Sequence, residues 1–139
     1  MTLSVRPVDT NFVQQVWPMV EQYIQSALDK DGTCTDYNIH HIQAYLAAGQ
    51  WLLLVAVDEE DQIHGAMTVS FVNYPLHRVA FVTTTGGRFI ANPELLEQLK
   101  VILRMRGATK IQAFGRESMV RLLEKSGFES RNTLVEVMI

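Results

Sequence analysis

The side chains with the clearest chemical potential are a tyrosine, a histidine and a glutamate in the second half of the chain. Tyr74 and His77 flank Pro75, and Glu117 stands at the beginning of a late helical segment. Groups of these types transfer protons in general acid–base catalysis when a substrate lies within hydrogen-bond reach. The favoured interpretation is structural: Tyr74 and His77 shape a turn at the sheet edge, and Glu117 is a first-turn acid that stabilises a helix N-terminus.

Metal and thiol chemistry find little support in the residue spacing. His40 and His41 are adjacent, so they point to different sides of a helix. His64 and His77 add no spacing typical of metal ligands. Cys34 is the single cysteine, and its polar loop lacks the basic neighbours that activate a thiolate. The sequence therefore predicts no metal site and no thiol nucleophile, and a lone cysteine fits a reducing compartment.

Glu117 belongs to a helix–strand–helix unit that spans residues 92–128 and around which the chain is organised. Its first helix begins with Asn92 as N-cap and Pro93 at the first helical position, where the missing N–H of proline costs nothing. Gly107 ends that helix in a left-handed cap position. A short strand and a second helix follow. A unit of this length is a right-handed crossover, and it implies a sheet with helices packed on it.

The other segments complete the order strand, two helices, three strands, helix, strand, helix, strand. The strands are expected at residues 4–8, 51–58, 63–74, 78–85, 111–114 and 133–139, and the first two helices at residues 12–28 and 38–48. This order predicts one α/β domain over residues 1–139. It has a central mixed, mostly antiparallel sheet of about six strands, with helices on both faces.

Composition excludes several classes of protein. The chain of 139 residues is 47% hydrophobic and 19% charged, as in an ordinary globular domain. No apolar run reaches the length of a membrane span, and residues 1–10 do not read as a secretory signal, so we expect a soluble intracellular protein. Basic residues concentrate after residue 75, but acidic residues are mixed among them and the net charge is −3. Nucleic acid is therefore the least favoured partner.

The element order, with a last helix that ends in the run LLEKSGF at residues 122–128, resembles the GNAT acyltransferase superfamily. The resemblance covers essentially the whole chain. It implies that acetyl-coenzyme A lies in a gap beside a central strand, with its pyrophosphate on backbone N–H groups of a glycine-containing loop at a helix N-terminus. Carried over to this chain, the resemblance implies cofactor contacts from Val82, Thr83, Thr84, Gly86, Gly87, Ile90, Asn92 and Arg116.

The chain departs from the superfamily pattern at several functional positions. Ile90 and Asn92 occupy the places of the loop glycines, and side chains there tend to keep a pyrophosphate away from the amides. Arg116 replaces a frequent asparagine. Leu123 replaces a general-acid tyrosine, and leucine cannot protonate a leaving thiolate. The strand at residues 78–85 carries no glutamate or aspartate in the place of the common general base.

A narrower resemblance concerns two runs, VNYPLHRVAFVTTTGG and IQAFGRESMVRLLEKSGF. They are similar to the small GNAT-like proteins of tailed phages and prophages, and more distantly to the small internal virion protein of short-tailed coliphages. This resemblance implies a phage origin and other phage virion proteins or host proteins as partners, with an oligomer as a further option. The implied location is the cytoplasm of the infected bacterial host, or the virion.

Two functional hypotheses stay open at this point. The departures favour a non-catalytic, phage-type GNAT-fold protein with a degenerate acetyl-coenzyme A site, which acts through protein contacts. The alternative is an active acetyl-coenzyme A-dependent N-acetyltransferase that acts on an amine of a protein or small molecule. In the second case Gly86 and Gly87 belong to an altered phosphate site. Loss of an acid and a base does not exclude transfer, because positioning alone supplies much of the rate.

Overall fold

The computed structural model describes residues 1–30, 36–89, 92–115 and 117–139. Its elements are β1 (Ser4–Val8), a short 3-10 turn (Thr10–Phe12), α1 (Val13–Lys30), α2 (Ile39–Ala47), β2 (Leu52–Val57), β3 (Ile63–Asn73), β4 (Arg78–Gly87), α3 (Pro93–Met105), β5 (Lys110–Ala113) and α4 (Glu117–Glu124). The strands form one sheet in the order β1-β2-β3-β4-β5. All neighbours are antiparallel except β4 and β5, which are parallel. The predicted α/β domain with a mixed, mostly antiparallel sheet is confirmed.

Local sequence signals account for the helix ends. The Asn92 side chain accepts a hydrogen bond from the Glu94 N–H at 2.9 Å, and Pro93 opens α3 as predicted. Gly107 follows α3 with φ +85°, a conformation that glycine adopts without steric cost. At α2, Asn38 and His41 form a reciprocal capping box. His41 is thereby engaged as a capping residue at the start of a helix.

Helices cover both faces of the sheet, and β2 lies between the two cores. Every residue of β2 is buried, which explains its unbroken apolar sequence. Leu53, Val55 and Val57 pack with the side chains of α1 and α2, among them Trp17, Val20, Ile24, Ile42 and Leu46. The alternate residues Leu54 and Ala56 face the second core, which α3 supplies with Leu95, Leu99 and Leu103. The predicted placement of helices on both faces is confirmed.

The predicted closing strand at residues 133–139 is wrong. The sheet of the described residues has five strands, and residues 129–139 contain no helix or strand. The apolar side chains there are exposed, with relative exposures between 66% and 119% at Leu134, Val135, Val137, Met138 and Ile139. Strand propensity is a local tendency, whereas a strand also needs a neighbour in register, and β5 pairs only with β4 over its four residues.

Candidate functional site

A bulge in β4 is the origin of the site. Thr68 of β3 pairs with Thr84, and the next residue, Val69, pairs with Val82, so Thr83 is an extra residue in β4. Such an insertion bends a strand and increases its local twist. The parallel pairing between β4 and β5 ends at Val82 and Ala113, one residue before the bulge. From Thr83 onward, β4 therefore no longer pairs with β5.

The gap between β4 and β5 opens into a cavity of about 820 Å³. Both faces of the sheet contribute to its walls, because the gap interrupts the sheet. Leu28, Tyr37 and Trp51 line it on the side of α1 and α2, and Leu95, Leu96 and Leu99 line it on the side of α3. Phe114, Met119 and Leu123 close it beyond β5. This volume and predominantly apolar wall are typical of a small-molecule site.

Three threonine hydroxyls meet at the bulge. Thr68 Oγ1 lies 2.7 Å from Thr83 Oγ1 and 2.6 Å from Thr84 Oγ1, and the Thr83 hydroxyl donates to the Thr68 carbonyl at 3.0 Å. Thr68 is fully buried and Thr84 is 6% exposed; both are buried polar residues in the apolar interior. Among the described residues, no buried side-chain polar atom lacks a hydrogen-bond partner. The cluster is therefore satisfied internally.

Tyr37 contacts the bulge from the opposite wall. Its hydroxyl donates to the Thr83 carbonyl at 3.2 Å, and its ring stands edge-on to Trp51 with centroids 5.3 Å apart. Trp51 stacks in turn on Tyr45 at 4.8 Å. These aromatic contacts fix a phenol group beside the bend in β4. The described titratable side chains that line the cavity are Lys30, Asp36, Tyr37 and Glu136.

Solved structures share this architecture over nearly their whole lengths. The chain is similar to an aminoglycoside acetyltransferase from an uncultured soil metagenomic sample, with 17% identity, a TM-score of 0.70, and coverage of 100% of this chain and 99% of that one. It is also similar to a predicted acetyltransferase from Clostridium acetobutylicum solved with acetyl-CoA, with 15% identity, a TM-score of 0.66, and coverage of 99% and 96%. The chain has the GNAT acetyltransferase fold.

An acetyltransferase from Trypanosoma brucei has the same fold at 14% identity and a TM-score of 0.63, with coverage of 99% of this chain and 100% of that one. No protein-family model matches the sequence, and no curated protein matches it either. Likeness at such low identity establishes the GNAT fold alone.

The residues carried over from the GNAT resemblance are partly brought together by the fold. Val82, Thr83, Thr84, Gly86 and Gly87 line the cavity. Asn92 lines a smaller neighbouring pocket. Ile90 and Arg116, like Cys34, lie outside the described residues. The described part of the proposed cofactor set therefore divides between two adjacent concavities.

Tyr74, His77 and Glu117 do not line the cavity. The Tyr74 N–H donates to the His77 carbonyl at 2.7 Å and closes the β3–β4 hairpin, at the opposite end of β4 from Gly87. His77 Nδ1 lies 2.9 Å from the Thr109 hydroxyl. The side chain of Glu117 is 90% exposed, 3.9 Å from Arg121. Tyr74 and His77 therefore belong to a hairpin turn, and Glu117 belongs to an exposed helix start.

Sequence reasoning missed Asp36, Tyr37 and Glu136 as cavity residues. Tyr37 directly precedes the N-cap of α2 and belongs to no periodic pattern, so no local signal points to it. Glu136 lies in the segment that was predicted as a strand. Only the tertiary arrangement brings these side chains to the gap.

Gly86 and Gly87 are required by packing. A Cβ on Gly86 would overlap the carbonyl oxygen of Tyr23 in α1 and lie 2.9 Å from the carbonyl carbon. Gly87 has φ +75°, and a Cβ there would overlap the carbonyl oxygen of His64. These glycines let the end of β4 approach the backbone of α1 and β3. Their presence is explained without a phosphate contact.

The N-terminus of α3 lacks two of the donors that could hold a pyrophosphate. Helix starts bind anions through unpaired N–H groups. Here Pro93 has no N–H, the Glu94 N–H donates to the Asn92 side chain, and the Leu96 N–H donates to the Asn92 carbonyl at 3.2 Å. Glu94 adds a carboxylate in the first turn. The volume and apolar walls of the gap suit the extended arm of a coenzyme, whereas the first two helical positions, Pro93 and Glu94, offer its phosphates no free N–H.

Two general observations concern metal ligands and membrane spans. No group of three His, Cys, Asp or Glu residues within the described ranges is arranged to hold a metal ion. In the same ranges, no helix is long and apolar enough to cross a membrane.

Proposed function

We propose that this GNAT-fold chain is an N-acyltransferase that binds a pantetheine thioester in the gap between β4 and β5. The observation that carries the proposal is the bulge at Thr83, beyond which β4 leaves β5 and borders a cavity of about 820 Å³. Within the described residues, no strand pairs with β4 on that side beyond Val82. An extended, amide-containing arm can pair with them as an added strand would.

The reaction follows from placing two reactants in one cavity. The amine nitrogen of the acceptor attacks the thioester carbonyl carbon, a C–N bond forms, the C–S bond breaks, and a proton passes from the nitrogen to the leaving thiolate. Holding both reactants in register supplies a large part of the rate. We assign this transfer to the Tyr37 hydroxyl, which lies beside the bulge that lines the cavity: it gives its proton to the thiolate and takes the proton that the amine nitrogen releases.

The thioester arm is expected to contribute most of the binding energy, and the nucleotide little. This expectation rests on the α3 N-terminus, where Pro93 has no N–H and the Glu94 N–H already donates to the Asn92 side chain, so two donors for a pyrophosphate are lost. The acyl group and pantetheine arm would instead contact the apolar walls formed by α3 and the aromatic side chains. A thioester on pantetheine alone is therefore the minimal ligand.

Titration calorimetry with acetyl-coenzyme A and S-acetylpantetheine tests the proposal. We expect both to bind with dissociation constants near the micromolar range, about −8 kcal/mol, and within about tenfold of each other. Binding of acetyl-coenzyme A alone would contradict the minor role of the nucleotide. No heat from either ligand at millimolar concentration would contradict a thioester site. Thiol release with an aminoglycoside or a lysine-containing peptide then tests transfer.

We also propose a second candidate, a phage virion-associated or host-interacting role. It is supported by the resemblance of the two quoted runs to phage GNAT-like proteins, and by the exposed apolar side chains of Phe114 and the chain end after Thr133. Mass spectrometry of purified phage particles tests this role. Presence at a fixed stoichiometry would support it, and absence would contradict a virion location.

A further inference from the structure

The threonine cluster at the bulge has a geometry that a regular strand cannot produce. Successive side chains in a strand point to opposite faces, so Thr83 and Thr84 would face opposite ways without the insertion. Here both hydroxyls lie within hydrogen-bond distance of the same Thr68 oxygen, at 2.7 and 2.6 Å. The bulge and the cluster therefore depend on each other.

The direction of each hydrogen bond can be worked out, because each hydroxyl has one proton. The Thr83 hydroxyl donates to the Thr68 carbonyl, so it must accept from the Thr68 hydroxyl. The Thr68 proton is then used, so the Thr84 hydroxyl must donate to Thr68 Oγ1. The result is a directed chain from Thr84 through Thr68 and Thr83 to the Thr68 carbonyl.

We infer that Thr68 is a positioning residue whose hydroxyl holds β4 in the bulged register and thereby keeps the thioester gap open. It is the central member of the chain, since it both accepts from Thr84 and donates to Thr83. It is fully buried, so water cannot replace its hydroxyl. The pairing of β4 with β5 ends one residue before the bulge that Thr68 holds.

This role extends to the opposite wall of the cavity. The bulged residue Thr83 presents its carbonyl to the Tyr37 hydroxyl at 3.2 Å. If Thr83 changed its orientation, that carbonyl would move and the Tyr37 hydroxyl would lose this hydrogen bond. Thr68 thus positions Tyr37 through Thr83. The link to ligand binding rests on the proposed function, whereas the link to the bulge does not.

Two substitutions at one position test the inference. Thr68→Val keeps the shape of the side chain and removes the hydroxyl, and Thr68→Ser keeps the hydroxyl and removes a methyl group. We expect valine to leave the Thr84 donor without its acceptor, and amide hydrogen exchange at residues 83–85 to rise about tenfold or more. Serine should keep the wild-type exchange within about threefold at these amides, because the hydrogen-bond chain persists.

Ligand binding supplies a second readout. We expect Thr68→Val to weaken S-acetylpantetheine binding about tenfold or more, and Thr68→Ser to restore it. If the wild type binds no thioester, the proposed function fails while the exchange comparison still decides the inference. Wild-type exchange rates in Thr68→Val would overturn the inference.

If Thr68→Val does not fold, a milder substitution tests the inference. Thr84→Val removes only the first donor of the chain, and circular dichroism establishes that the variant is folded. We expect a smaller rise in exchange, confined to the amides next to Thr84. Unchanged exchange in this variant, with Thr68→Val unfolded, would also overturn the inference, because the chain would then not hold the bulge.

Discussion

Substitution of Gly86 by alanine is the sharpest test of how β4 meets α1. Gly86 lies near the end of β4, and an added Cβ would overlap the Tyr23 carbonyl oxygen and approach the Tyr23 Cα to 3.2 Å. Tyr23 lies within α1, so the obstructing atoms are helix backbone and cannot rotate away as a side chain would. Either α1 or the end of β4 must therefore move.

The expected cost follows from the packing around both elements. Introducing a methyl group into a closely packed interior costs about 1–3 kcal/mol, and more where backbone is displaced. Neighbouring Val20 and Ile24 of α1 are fully buried, so a shift of the helix also disturbs the core beneath it. We expect Gly86→Ala to lower the free energy of unfolding by about 3 kcal/mol or more.

Urea denaturation followed by circular dichroism measures this difference. Gly127→Ala is the matched control. Gly127 has φ +94°, but no atom lies within 4 Å of its added Cβ, so only backbone strain is introduced. We expect that variant to lose about 1–2 kcal/mol.

A Gly86→Ala variant within about 1 kcal/mol of the wild type would refute this packing of β4 on α1. The expected result also bears on the use of Gly86 as a phosphate ligand. A bulky residue at this position would disturb the fold, so loss of ligand binding in such a variant would not identify a phosphate contact. The Thr68 variants avoid this difficulty.

Three further predictions concern Tyr37, Asp58 and residues 133–139. Tyr37→Phe should lower kcat about 100-fold with little change in KM. The control Tyr45→Phe, at a residue outside the cavity, should keep the wild-type kcat. Equal kcat values for the two variants would contradict the role assigned to Tyr37. The hydrogen bond with His64 lowers the pKa of Asp58 below its ordinary value, so the stabilisation from this carboxylate is present above the ordinary pKa and is lost as the pH falls through the lowered one. Asp58→Asn should show a shallower acid loss of stability in urea titrations, and parallel curves would contradict this. Deletion of residues 133–139 should change the free energy of unfolding by less than about 0.5 kcal/mol; a larger loss would mean that they pair.

Much of the fold could be predicted from local patterns. Asn92, Pro93 and Gly107 mark the ends of α3 because a cap depends on the conformation of a few consecutive residues. The unbroken apolar run of β2 predicts a strand covered on both faces, and the structure places helices on each. The element order then limits how such pieces can connect, which is why the sheet and its class were accessible from the sequence.

Local sequence patterns were not sufficient where a segment depends on a neighbour that is distant in the chain. Residues 133–139 have strand propensity but pair with no neighbour, because propensity does not specify register. Local patterns also do not show why residues 86 and 87 are glycines, because the backbone atoms that exclude a Cβ there belong to Tyr23 and His64, distant in the chain.

The sequence by itself determined the helices, the sheet and the order in which they are connected, since these depend on neighbouring residues. The resemblance pointed to the β4 residues that line the cavity, and the tertiary structure decided how the site is built around them. The bulge at Thr83 exists in the pairing of β3 with β4, and Tyr37 reaches it from a loop before α2. These contacts join residues 15 to 46 positions apart, and no local pattern encodes such separations.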